Sequence, residues 1–292
     1  MSVNFKIIHF IDVLLIFPYF CKQMIRILLS FFLLVFFCLG DVLSQELIEN
    51  NAFKTGEVLK YKVYYSSPLG NFTAGEAILT IDEWKESNTS DNRSIFHITG
   101  VGNSKGVFDW FYKVRDRFET QIDQETLLPY LFVRRTHEGK YEYDDDVFFD
   151  RNNLVARSRR AEKPIPDDVH DIISAFYFMR TLNTDEFDDD STFSINFYLD
   201  DSLYHSKIKF ESRGSMKTVW GWIDCIKFSP KVATGEVFSK DYPMSIWVTD
   251  DENHLPIMAE SKVVVGSIKM ELIEFSGLKN QAVFEEGRRK KK

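Results

Sequence analysis

The stretch richest in reactive side chains is Asp250–His254 (DDENH), which places three carboxylates, an amide and an imidazole in consecutive positions. Carboxylates and imidazoles bind metal ions and act as general acids and bases. The stretch lies between two strand-like runs, Ile246–Thr249 and Leu255–Glu260, and Asp and Asn side chains at such positions stabilise turns by bonding nearby backbone. The sequence therefore predicts a turn here, with a metal or acid–base site as the alternative.

Sequence motifs of catalysis or metal binding do not occur elsewhere in the chain. No two histidines share a metal-ligand spacing, and the HExxH, CxxC, GxSxG and Walker patterns are missing. Gly100–Gly106 is rich in glycine, but the run after it is strand-like, so we interpret this segment as a turn. We therefore expect no cofactor, no metal ion and no enzymatic activity, and a hydrolase or metal enzyme is the least favoured hypothesis.

Asp116 is the carboxylate whose position is hardest to explain by solvation. In the alternating run Lys113–Asp123 it shares the register of the apolar residues, so its side chain is predicted to face the core. A carboxylate in a core is costly unless it is paired. The arginines available as partners are Arg134, Arg135 and Arg180. Asp116 is then either part of a structural ion pair or a carboxylate that binds a ligand.

Aromatic side chains are abundant, with 27 Phe, 12 Tyr and 5 Trp. They concentrate in Val107–Tyr112 and around Trp220. Such residues usually fill the core of a sheet, but in a curved sheet they also suit a cleft for an acyl chain or another apolar ligand. The candidate ligand-binding residues are Asp116, Trp110, Tyr112, Arg134, Phe176, Trp220 and Trp222.

Strand patterns dominate the part of the chain that must position these residues. Thr192–Asp200 and Lys113–Asp123 alternate apolar and polar residues, as half-buried antiparallel strands do. Asp168–Leu182 instead has apolar residues at helical spacing, with Asp167 or Asp168 as its cap, and its broad apolar surface indicates burial on more than one side. We predict a mainly β fold: a single curved antiparallel sheet or half-barrel with one inserted α-helix packed in its concave face. Phe176 and Met179 are expected to contact the strands.

The N-terminus carries two apolar runs. Phe5–Phe20 is interrupted by polar residues and is too short to span a membrane. Met24–Gly40 has one early cation, an unbroken apolar core and a small-residue exit, the order of a secretory signal peptide. Residues 1–44 are therefore predicted to be a signal peptide, cleaved after Ser44 to leave Gln45. Met24 is also a better start for a signal peptide than Met1.

Two alternatives to cleavage remain open. Cys38 is a candidate for lipidation, although the bulky Phe37 disfavours it, and the apolar run of residues 25–39 is a candidate for an uncleaved anchor. In each case the protein is exported, to the periplasm or cell envelope. Residues 45–285 are predicted to form a single soluble β-rich domain, with membrane association as an alternative, and 286–292 a basic disordered tail.

Net charge limits the classes of partner, and cysteine content limits how the domain is stabilised. The chain has 36 basic and 44 acidic residues and a net charge of −8, which argues against nucleic acid as a partner. Only Cys225 lies outside the leader, so the exported domain has no internal disulfide and depends on its core and backbone pairing. The expected partners are a lipid or another apolar small molecule, or other envelope proteins.

The order of four blocks resembles the domain-of-unknown-function 3108 family of exported bacterial proteins. The blocks are Gly56–Ile81, Lys113–Tyr141, Asp168–Arg180 and Ile246–Leu272, and the resemblance covers residues 53–276. It implies an antiparallel β-rich fold with an inserted helix in an envelope compartment, with no assigned reaction and no site residue to carry over. The doubled N-terminal apolar region and the basic tail depart from the family's pattern.

Three functional hypotheses follow in order of preference. The first is a non-enzymatic envelope protein that binds lipid or another apolar ligand in the concave face. The second is an envelope assembly or protein-interaction module, and the third is the hydrolase or metal enzyme. A continuous apolar cavity between helix and sheet would favour the first, and a filled core with an exposed aromatic patch the second. Convergent carboxylates with a histidine in a cleft would be needed for the third.

Overall fold

A computed structural model of the chain describes residues 48–68, 70–85, 94–188, 190–231, 244–262 and 266–282. These residues all belong to one compact unit, Leu47–Lys292. The predicted signal peptide 1–44, with its cleavage site, and the basic tail 286–292 lie outside the described residues. In the described ranges, every helix is too short or too polar to span a bilayer.

The described residues form one sheet of fourteen strands, and each neighbouring pair in it is antiparallel. The strands are β1 (Val58–Ser67), β2 (Gly70–Lys85), β3 (Ser94–Ser104), β4 (Arg115–Asp123), β5 (Pro129–Glu138), β6 (Tyr141–Asp150), β7 (Val155–Arg157), β8 (Glu162–Pro164), β9 (Thr192–Leu199), β10 (Ser202–Thr218), β11 (Gly221–Pro230), β12 (Met244–Thr249), β13 (Pro256–Lys262) and β14 (Ser267–Ser276). The helices in these ranges are α1 (Gly106–Phe111), α2 (Ile172–Met179) and a 3₁₀ turn at Thr184–Glu186.

The strand order is two meanders joined at one seam. Strands β1 to β8 follow one another on one side and β14 back to β9 on the other, with β1 paired to β14 at the seam. The edges are β8 and β9, and α2 lies in the connection between them. The predicted fold class, a mainly β protein with one antiparallel sheet and an inserted helix, is confirmed.

The sheet must curve strongly, because α2 contacts strands that are far apart in it. Thr120 of β4 donates a hydrogen bond to Asp171 at the start of α2 (2.5 Å), and His170 forms a parallel bridge to Phe197 of β9. Nine strand steps separate β4 from β9, about 43 Å in a flat sheet. The two arms therefore curl around α2, and Phe149 of β6 meets Tyr198 of β9 with ring centroids 6.2 Å apart.

Helix α2 is shorter than predicted and begins later. Its cap is Asp171, whose carboxylate accepts from the backbone N–H groups of Ile173 and Ser174, while the Ser174 hydroxyl accepts from the N–H of Asp171. The prediction of Asp167 or Asp168 as the cap is wrong. Residues 168–170 instead lie along the edge of β9, where Asp168 accepts from the Asn196 amide, and this pairing covers part of an edge strand.

Glycines lie near the ends of two strands, β13 and β3, and the sequence prediction for the second of these ends is wrong. Gly266 has a positive φ, and a side chain there would meet the Ser66 carbonyl, so a glycine is required between β13 and β14. The turn predicted at Gly100–Gly106 is wrong, because β3 runs on to Ser104 and α1 begins at Gly106. A six-residue helix has too few positions for its period to show in the sequence.

The core lies on both sides of the seam and around α2. Its buried members fall into three apolar clusters. One holds Phe53, Ile98, Ile122 and Tyr177, the second Leu59, Tyr61, Leu255 and Leu272, and the third Ala175, Ile208, Ile226 and Phe228. The predicted contact of Phe176 and Met179 with the strands is confirmed, because both line the space that α2 leaves against β9–β13.

Candidate functional site

The largest run of exposed apolar side chains in the described chain lies in α1 and the residue after it, although Trp222 of β11 is also 73% exposed. Trp110 is 82% exposed, Phe111 74% and Val107 68%, and Tyr112 is half exposed. No residue of α1 is buried. We call these four residues the aromatic tip. An apolar helix of this kind is normally turned into a core, so its outward position calls for a partner.

Apolar side chains at the ends of β1, β2 and β14 continue the exposed apolar surface next to the aromatic tip. Tyr65 of β1 is paired with Phe72 of β2 and with Ile268 of β14, so the three side chains share one face of the sheet. Phe72 and Ile268 are exposed. The ring of Tyr65 meets Phe108 of α1 at 6.3 Å, so this row runs into the helix.

Polar contacts fix α1 to the sheet behind it. The Asp109 carboxylate accepts hydrogen bonds from the Ser104 hydroxyl and from Arg115, both at 2.6 Å. These two donors hold the pKa of Asp109 at about 2. The Ser104 hydroxyl in turn accepts from the N–H of Val114 (2.9 Å), and the N–H of Lys105 donates to Ala74 of β2. The helix is thus held at both ends while its apolar side chains point outward.

Asp116 is next to Arg115 in β4, close to the contacts that hold α1. It has no arginine partner, so its predicted ion pair is wrong. Its carboxylate is half buried and accepts from the backbone N–H of His137 (3.0 Å). The regular ladder between β4 and β5 ends at Arg117 and Arg135, which leaves that N–H free for the side chain. Burial and the nearby Asp116 carboxylate raise the pKa of Glu138.

The three arginines proposed for Asp116 bind other carboxylates. Arg134 of β5 pairs with Asp200 in the β9–β10 turn (2.6 Å) and stacks on Tyr143, and Arg135 pairs with Asp146 (2.6 Å). Arg180, just after α2, pairs with Glu57. The register of Asp116 was predicted correctly, and its partner was not.

The buried ion pair of the described chain is Glu57–Arg180, which the sequence did not reveal. Both guanidinium ends bond the carboxylate, at 2.6 and 2.9 Å, and the side chains are 0% and 1% exposed. Arg180 also donates to the carbonyls of Asn253 and Ala52. Burial alone would lower the pKa of Arg180, but the Glu57 carboxylate raises it. The net effect is a raised pKa.

The DDENH stretch connects β12 to β13, as predicted, and it also ties that turn to α2. The His254 imidazole contacts the Arg180 carbonyl (2.7 Å) and the Thr184 hydroxyl (3.2 Å), and Asp250 pairs with Arg213. The turn lines a cleft of about 590 Å³ together with residues 48–52 and 180–185. Within the described ranges, no three metal-ligating side chains converge.

The space between α2 and the sheet is nearly filled. The cavity there measures about 20 Å³ and is lined by Phe176, Met179, Phe193, Ile208, Phe228 and Val248. That volume holds about one water molecule. This cavity beside Phe176 and Met179 therefore has no room for an acyl chain.

The predicted ligand-binding residues fall in separate places. Trp110 and Tyr112 lie together in the aromatic tip, with Asp116 near their base. Arg134 is in the ion pair with Asp200, and Phe176 lines the small cavity. Trp220 packs edge-on against Phe275, and Trp222 is exposed at the β10–β11 hairpin, at the other end of the sheet. The prominence of α1 was missed, and its one sequence signal is the density of aromatics in Val107–Tyr112.

Comparisons with known proteins give a family and remote structural likenesses. The sequence profile of the family described as a protein of unknown function (DUF3108) matches residues 60–273. A search of curated proteins finds no match.

Three solved structures are similar in outline. A beta-barrel-like protein of domain of unknown function DUF1849 from Brucella abortus has a TM-score of 0.49 at 8% identity, covering 77% of this chain and 99% of that one. A candidate exported protein with a YmcC-like fold from Bacteroides fragilis has a TM-score of 0.33 at 12% identity, and coverage of 77% and 97%. A candidate lipoprotein from Parabacteroides distasonis has a TM-score of 0.30 at 12% identity, with the same coverages.

Proposed function

The chain belongs to the DUF3108 family of proteins of unknown function, and we propose that it is an exported, non-enzymatic protein of the cell envelope that binds lipid or another apolar ligand at the aromatic tip. The signal-peptide pattern of residues 24–44 supports export to the periplasm or envelope. The site differs from the concave face, where the sequence placed it.

The observation that carries this proposal is the exposure of α1. Three of its side chains, Val107, Trp110 and Phe111, are each more than two-thirds exposed. Fully burying a side chain of this size contributes roughly 1.5–3 kcal/mol. A surface that leaves several such side chains in water, held in place by the Asp109 contacts, is well suited to bind an apolar partner.

The size of the helix–sheet cavity supports the same location. A drug-sized or larger ligand normally occupies a pocket of about 300–1,000 Å³, and the cavity beside Phe176 is about 20 Å³. The larger cleft at Asp250–His254 is lined mostly by polar and charged side chains, with Ile48, Ala52 and Leu182 among them. Neither suits an acyl chain as well as the outer surface of α1.

An envelope assembly or protein-interaction module is the second candidate function. It is favoured by the same combination of a filled helix–sheet interface and an exposed aromatic patch. The two candidates differ in what remains bound to the aromatic tip when the protein is isolated.

Native mass spectrometry of the protein isolated from its own envelope separates the candidates. The matched variants are Phe111→Ser in the tip and Phe148→Ser on β6, which also carries an exposed phenylalanine (57%). We expect a lipid mass on the wild type and on Phe148→Ser, and its loss from Phe111→Ser. Equal lipid on all three would contradict the site, and a protein subunit lost from Phe111→Ser would establish the second candidate.

A further inference from the structure

We propose that the aromatic tip docks into the headgroup–acyl boundary of a lipid bilayer, and that apolar burial drives this docking with little help from charge. This inference rests on the proposed function, because it names the physical state of the lipid that the tip meets. Three features of the described residues carry it.

The first feature is the protruding form of the tip. Trp110 meets Phe111 with ring centroids 4.8 Å apart, and both remain more than two-thirds exposed. Anchors in protein interfaces work when a complementary pocket surrounds them. A bilayer boundary deforms around protruding side chains, and Trp and Tyr are enriched there because their rings are apolar with one polar atom.

The second feature is that most of the exposed large apolar side chains lie at one end of the sheet; Phe148, Val219 and Trp222 are exposed away from it. In an antiparallel sheet the turns after β1, β3, β5 and β13 lie at the same end. Phe72 and Ile268 are next to the β1–β2 and β13–β14 turns, Tyr141 opens β6, and α1 lies between β3 and β4. The ring of Tyr112 lies over Gly139 of the β5–β6 turn, where a Cβ atom would be 2.9 Å from it. A single planar surface can therefore meet α1 and its neighbours together.

The third feature is that charges beside the tip are paired with one another. Arg115 binds Asp109 (2.6 Å), and Lys105 binds Glu76 (3.3 Å). Three further lysines at this end, Lys113, Lys140 and Lys262, are matched in number by Asp116, Glu138 and Glu142. No excess of cations faces outward from these residues, so anionic headgroups are expected to add little to binding.

The test is partition of the purified protein onto vesicles, measured by co-sedimentation. The vesicles are phosphatidylcholine alone and phosphatidylcholine mixed with phosphatidylglycerol, each at low and high salt. We expect binding to both compositions, changed little by salt. Phe111→Ser and Trp110→Ser should each weaken partition on the order of tenfold to a hundredfold, and Phe148→Ser should leave it unchanged.

Each other outcome overturns the inference in a distinct way. Binding that requires phosphatidylglycerol and is abolished by salt would show that charge drives docking. Equal loss in Phe111→Ser and Phe148→Ser would place the contact elsewhere. If vesicles are not bound while native mass spectrometry still finds a lipid that Phe111→Ser loses, the bilayer inference fails and the proposed function stands. Loss of a protein subunit without vesicle binding would assign the tip to a protein partner. Circular dichroism of each variant, with Trp110→Ser as the second tip variant, excludes unfolding as the cause.

Discussion

Replacing Arg180 by methionine should unfold the domain more readily than any surface substitution. The change removes a guanidinium that makes four hydrogen bonds, two of them to Glu57. The Glu57 carboxylate is then left at 0% exposure without a counter-ion. Removing one partner of a buried ion pair costs about 3–5 kcal/mol, because the other charge stays in a medium that solvates it poorly.

The location of the pair adds to this cost. The carbonyls of Asn253 and Ala52 each lose a donor, at about 1 kcal/mol for each hydrogen bond. The rings of Phe53 and Tyr177 lose a cation lying 5.4 and 5.2 Å from their centroids. These contributions overlap, so we expect Arg180→Met to lower the free energy of unfolding by about 4 kcal/mol, out of the roughly 5–15 kcal/mol of a typical domain.

A double-mutant cycle separates the charge from the packing. Glu57→Leu with Arg180→Met removes both charges together, and the double variant should be more stable than the sum of the single changes predicts, by about 2 kcal/mol or more. The free energy of unfolding of each variant is measured by urea unfolding, which is monitored by circular dichroism. An unchanged m-value checks two-state behaviour. A loss of less than about 1 kcal/mol in Arg180→Met, or additive single changes, would refute the reasoning.

Three further predictions concern other parts of the chain. Asp116→Ala should cost only about 1 kcal/mol in urea unfolding, since it removes one hydrogen bond to the His137 N–H, and a loss above 3 kcal/mol would restore the buried-pair interpretation. His170 is buried. Its burial, and to a lesser extent the positive charge of Arg151, lowers its pKa from 6.5 to about 3. Its stabilising contribution is complete above pH 6.5 and is lost as the pH falls from 6.5 towards 3. His170→Phe should therefore flatten the pH dependence of unfolding between about pH 4.5 and 6.5, and an unchanged slope would contradict the shift. N-terminal sequencing of the exported protein should begin at Gln45, and a leader still attached in the membrane fraction would contradict cleavage.

The fold was largely predictable because its signals are local. Alternation in Lys113–Asp123 places Thr120 and Ile122 in the core, and the apolar residues of 168–182 indicated α2. The exact start of α2 was not predictable, because three aspartates compete for the cap and the pairing of residues 168–170 with β9 selects Asp171.

The site was less predictable because its contacts are long-range. Glu57 and Arg180 are 123 positions apart, and neither stands out in its own segment. Asp116 has the inward register that its alternation predicts, but its partner depends on where the β4–β5 ladder ends. The direction in which α1 points depends on Ser104, Asp109 and Arg115, whose spacing matches no known motif.

Photo-crosslinking tests most directly where lipid binds. A phospholipid with a photoreactive group in its acyl chain is incubated with the purified protein, irradiated and located by peptide mass spectrometry. The proposed function predicts adducts on Val107–Tyr112, with flanking adducts near Phe72 and Ile268 at the same end of the sheet. Adducts confined to Phe176 and Met179 of α2, or spread evenly over the exposed residues of the domain, would contradict it.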